Sequence, residues 1–166
     1  MDNYKPFDLY ECKTIGLRTG VLCAGLGAVM AFLMLKALGL VNVTGLMSQG
    51  PGVMIGLVVL FWAAALLGRT AGGFLADRQN DDAMNAIVGI GVAFGSIMFA
   101  SLSGSLMSVV FDLNRTYASG EIIFILFMPL LLILLWGGIP AICLGFLYGF
   151  LVRKQIARIV TQLEPD

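Results

Sequence analysis

The chain has 166 residues, 59% of them hydrophobic and 12% charged, with a formal net charge of zero. Soluble domains carry about 25% charged residues, so about half of the usual charge is missing, and a soluble domain is excluded. No basic tract is present to neutralise phosphates, so nucleic acid is not an expected partner.

Four apolar stretches reach or approach the length of a membrane-spanning helix, at about 19–41, 52–75, 84–111 and 121–152. The expected fold is all-α: one polytopic unit of four transmembrane helices packed as a bundle. The first stretch follows Lys5, Lys13 and Arg18. Its length and the poor cleavage sequence Lys36-Ala37-Leu38-Gly39 favour a retained signal-anchor over a cleaved signal peptide. Lys36, near its outer end, can extend its flexible stem toward headgroups or meet an anionic partner inside the bundle.

The second stretch opens at Ser48-Gln49-Gly50-Pro51-Gly52, where Pro51 suits the first turn of a helix because its missing N–H is not needed there. Arg69 near its inner end is read as an interfacial anchor, or as a partner for a carboxylate or lipid phosphate. Asp81 and Asp82 precede the third stretch and Ser119 and Glu121 the fourth, where they can cap helices and complement their positive ends. The third stretch carries Ser101, Ser105 and Ser108 beside Gly104. Their hydroxyls are expected to bond back to the preceding turn or across to a neighbour. Trp62 and Trp136 lie mid-span, which suggests packing inside the bundle. The fourth stretch, about 48 Å as a helix, exceeds the bilayer's hydrocarbon core, and Pro129, Gly137-Gly138 and Pro140 predict a kink near 137–140. Residues 153–166 form an amphipathic tail, with Arg153, Lys154 and Arg158 suited to an anionic leaflet.

Every stretch carries small residues at four-residue spacing. They are Gly16, Gly20, Ala24 and Ala28; Gly52, Gly56, Ala64, Gly68, Gly72 and Ala76; Ser96, Ala100, Gly104 and Ser108; and Gly137, Ala141, Gly145 and Gly149. This spacing is expected to give each helix one narrow side where a neighbouring backbone comes close. Gly20, Ala24, Gly68, Gly72, Gly104, Gly137, Ala141, Gly145 and Gly149 are the candidate packing residues. Close packing is expected to concentrate in the cytoplasmic half.

With four spans the two termini share a face. That face receives Lys5, Lys13, Arg18, Arg69, Arg78, Arg153, Lys154 and Arg158, against Arg115 and Lys36 opposite. The positive-inside rule therefore predicts cytoplasmic termini.

The segment Gly73-Phe74-Leu75-Ala76-Asp77-Arg78 resembles the conserved loop between helices two and three of major facilitator transporters. That resemblance implies a charge relay through Asp77 and Arg78, which would help gate access at the cytoplasmic helix ends. It covers six residues. Gln79-Asn80-Asp81-Asp82 replaces the family's following glycine and basic residues, and four spans stand in place of twelve. We read it as convergence on a short inner loop.

Catalytic chemistry finds few members. Histidine is absent, no carboxylate lies deep in a span, and Cys12, Cys23 and Cys143 lack ligand spacing. No enzymatic activity, cofactor or metal is therefore expected. Lys36, Arg69, Asp77, Arg78, Arg153, Lys154 and Arg158 remain as candidate charge or lipid contacts. The sequence favours a structural or accessory subunit of a membrane complex, assembling with other subunits or with itself. The alternative is a small oligomeric transporter or channel with its pathway near Lys36, Arg69 and the Pro140 break.

Overall fold

The computed structural model describes residues 6–37, 51–77, 82–111 and 119–163. These residues form four helices, α1 (Pro6–Ala37), α2 (Pro51–Asp77), α3 (Asp82–Phe111) and α4 (Ser119–Leu163). The expected all-helical fold is the one observed, and each helix contains a segment long and apolar enough to cross a membrane. α2 begins at Pro51, as its fixed φ favours. α1 packs on α2, α2 on α3 and α3 on α4, and α4 closes the bundle against α1.

Two boundaries differ from the sequence reading. α1 starts at Pro6, well before residue 19, because Glu11, Lys13 and Arg18 interrupt hydropathy without interrupting helical geometry. α4 continues as helix through Pro140 and on to Leu163, so the stretch 121–152 and most of the tail are one element. Membrane helices tolerate proline where neighbouring groups re-satisfy the freed backbone.

Three seams of backbone contact hold the bundle. On α1 and α2, a Cβ added at Gly16 would meet Gly72 Cα at 2.8 Å, and one at Gly20 would meet Gly68 Cα at 3.4 Å. On α2 and α3, one at Gly56 would meet the Ala100 carbonyl oxygen at 3.2 Å, while Gly104 faces Gly52 and Gly56. On α3 and α4, one at Gly145 would meet Ile90 Cα at 2.6 Å, and Gly149 faces Asn85. Only hydrogen fits at Gly16, Gly20, Gly145 and Gly149, whereas at Gly56 and Gly104 a methyl group would need its neighbour to give by a few tenths of an ångström.

The seams correct the expectation that each row marks one side of its helix. Gly52 and Gly56 of α2 face α3, whereas Gly68 and Gly72 face α1. A helix turns about 100° per residue, so sixteen residues rotate the row by about 160°. One row therefore serves two neighbours. Close packing is greater at one end of the bundle but not confined to it. The seams at Gly16–Gly72 and Gly89–Gly149 lie toward the end that holds the N-terminus of α1, but the Gly52–Gly104 seam lies toward the other end.

Candidate functional site

The most buried part of the molecule is a cluster of Cys12, Ala71, Leu75, Ala76, Val92, Tyr148, Val152 and Ile156, drawn from all four helices. It forms where α1 begins, α2 ends, α3 begins and α4 ends. Tyr148 is only 1% exposed, and its hydroxyl donates to the Gly68 carbonyl oxygen of α2 at 2.9 Å. Gly68 exposes that carbonyl because it has no side chain of its own. The glycine that lets α1 approach α2 thus also receives the phenol of α4.

Two further polar groups lie in the bundle interior. Asn85 in the first turns of α3 is 4% exposed, and neither its amide nitrogen nor its amide oxygen has a hydrogen-bond partner among the described residues. The Ser101 hydroxyl is likewise buried without a partner there. Ser101 thus departs from the expected bonding, whereas Ser108 Oγ donates to the Gly104 carbonyl of its own helix at 3.0 Å as expected, and Ser96 Oγ donates to the Val92 carbonyl at 2.7 Å.

The structure brings most of the predicted packing residues together. Gly20 and Gly68 meet, Gly72 meets Gly16 and Cys12, Gly104 meets Gly52 and Gly56, and Gly145 and Gly149 meet α3. Ala141 is buried and Ala24 half-buried. Gly137 lies in α4, and its surroundings fall outside the described residues, as does the side chain of Trp136. Trp62 departs from expectation: it is 66% exposed and faces outward, where the indole is available to lipid.

The described candidate charges do not converge on one site. Arg18, Lys36, Arg69, Lys154 and Arg158 are exposed, and Arg153 is half-buried. The register of α1 against α2 sets Arg69 level with Arg18, so Lys36 stands about 27 Å away along the bundle. Arg78 and the Asp77 side chain lie outside the described residues. Gly73 to Asp77, the segment that resembles a transporter loop, is the last turn of α2, with Leu75 and Ala76 in the buried cluster.

Sequence reasoning missed Tyr148, Asn85 and Gly89. Tyr148 continues the face marked by Ala141 and Gly145, and Val152 and Ile156 extend it at helical spacing. Asn85 precedes Gly89 by four residues on α3, and an amide in an apolar stretch is a signal in its own right. Among the described residues no group of three His, Cys, Asp or Glu side chains could hold a metal. An open depression lies at the start of α4, lined by Gly120, Glu121, Phe124 and Ile125.

Comparison with known proteins finds no matching family model, no matching curated protein and no matching solved structure.

Proposed function

We propose that this is a non-enzymatic integral membrane protein, a structural or accessory subunit that assembles with other membrane subunits or with itself. The supporting observation is closure. Backbone meets backbone along three seams, and the Tyr148 hydroxyl is used in binding α4 to α2. A chain packed this tightly suits a scaffold better than a conduit. Because Gly16, Gly20, Gly52, Gly56, Gly68, Gly72, Gly104, Gly145 and Gly149 are occupied within the chain, docking falls to the exposed apolar walls. Those walls include Gly91 on α3 and Gly138 on α4, where an added Cβ would meet nothing within 4 Å.

A second reading, a small oligomeric transporter or channel, draws on the unpartnered Asn85 and Ser101. Mild solubilisation followed by native mass spectrometry separates the two. Stoichiometric foreign subunits are the expected result. A pure homo-oligomer that passes ions or solutes in liposomes would overturn the subunit reading.

A further inference from the structure

We infer that the exposed guanidinium groups of Arg18 and Arg69 bind lipid phosphates of one leaflet and set the depth of the bundle. The part of the buried cluster beyond the arginines, Cys12, Leu75, Ala76, Val152 and Ile156, then lies in the headgroup layer instead of the hydrocarbon. The inference rests on the membrane reading, but not on the choice between subunit and transporter.

Register places the two arginines at one height. Gly16 lies against Gly68 and Gly72, and Gly20 against Ala64 and Gly68, so position 18 of α1 is level with Gly68 of α2. Arg18 stands two residues from both Gly16 and Gly20, which turns it away from the seam toward the outside of α1. It is exposed, and so is Arg69 on the neighbouring helix. Guanidinium matches phosphate bidentately, which makes these side chains suited to headgroup contact.

Length gives the other boundary. From Arg18 to Lys36 is 18 residues, and from Pro51 to Arg69 is also 18. Each corresponds to about 27 Å of helix, close to the roughly 30 Å hydrocarbon core. Residues 19–35 and 52–68 contain no charged side chain. Their outward positions are apolar: Leu22, Leu26, Val29 and Leu33 on α1, and Met54, Val58 and Trp62 on α2.

Past the arginines both helices continue. α1 reaches back to Pro6 through Lys13, Glu11 and exposed Tyr10, and α2 runs on to Asp77. Cys12, Leu75 and Ala76 belong to this section, and so do Val152 and Ile156, which follow Tyr148 beyond the Gly68 level. In hydrocarbon, lipid tails are as apolar as leucine and burial drives no association. Among headgroups water is present, and burying Leu75, Val152 and Ile156 becomes favourable again. This accounts for the position of the most apolar interior at one end of the bundle. Hydropathy alone would centre the membrane lower, on Leu9–Leu33 and Gly52–Ala76, and would sink both arginines among acyl chains.

The test is tryptophan quenching by brominated acyl chains in phosphatidylcholine–phosphatidylglycerol vesicles holding the full chain. In a Trp62→Phe, Trp136→Phe background, single tryptophans are introduced by Tyr10→Trp, Phe74→Trp, Leu26→Trp and Val58→Trp. Leu26→Trp and Val58→Trp should be quenched several-fold more strongly than the other two, and aqueous acrylamide should give the reverse order. Equal bromine quenching at all four positions would overturn the inferred depth. No bromine quenching at any of them would overturn the membrane reading itself. Adding Arg18→Gln with Arg69→Gln should raise quenching of Phe74→Trp toward that of Leu26→Trp, while the Arg→Lys pair should keep it low. An unchanged depth in the Gln pair would overturn the phosphate role.

Discussion

Gly145→Ala adds one methyl group inside the α3–α4 seam, and Gly91→Ala adds the same group on the open side of α3. At Gly145 the new carbon would lie 2.6 Å from Ile90 Cα, 2.7 Å from Ile90 N and 2.9 Å from the Gly89 carbonyl carbon. All three are backbone atoms and cannot rotate aside. Carbon atoms settle at about 3.5–4.0 Å, so α4 must retreat by about 1 Å, a gap that forfeits a quarter to a half of each affected contact. Overpacking of this kind costs about 1–3 kcal/mol. At Gly91 nothing lies within 4 Å, and alanine's better helix propensity makes the change neutral to about 1 kcal/mol stabilising. Unfolding by dodecyl sulfate in mixed micelles, followed by circular dichroism and tryptophan fluorescence, reports the difference. The seam argument fails if Gly145→Ala stays within about 0.5 kcal/mol of the parent chain, the range of an ordinary surface substitution. It fails equally if the two variants shift together.

The same unfolding assay tests the buried polar groups. Tyr148→Phe removes one interhelical hydrogen bond and should cost about 0.6 kcal/mol, the mean for such bonds in membrane bundles. Tyr148→Ala also leaves a cavity among Leu75, Val152 and Ile156 and should cost about 3–5 kcal/mol. Near-equal losses would show that the hydroxyl, and not the ring, carries the contact. Asn85→Leu replaces a buried amide without a described partner by an apolar group and should stabilise by about 1 kcal/mol. A loss of similar size would show that a polar group meets Asn85 in the membrane.

Different parts of the site were visible in the sequence to different degrees. The packing role of Gly68, Gly72, Gly145 and Gly149 could be read from their spacing, since close helix approach in lipid requires small residues. The role of Tyr148 could not, because its partner is a backbone carbonyl 80 residues away and every residue type carries one. The direction of Trp62 also escaped. Mid-span hydropathy gives depth but does not say which side of the helix faces lipid.

The sequence by itself determined that four apolar helices form and that they approach one another through small residues. Both properties are local: apolar length sets a span, and a missing side chain sets how near a backbone can come. Tertiary structure decided which neighbour each row meets. The row of α2 winds around its own axis, so Gly52 and Gly56 serve α3 while Gly68 and Gly72 serve α1. Tertiary structure also brought Arg18 level with Arg69, and placed Cys12, Leu75, Tyr148, Val152 and Ile156 in one buried layer. The reason is that register between helices depends on where two rows interlock, which neither row specifies alone.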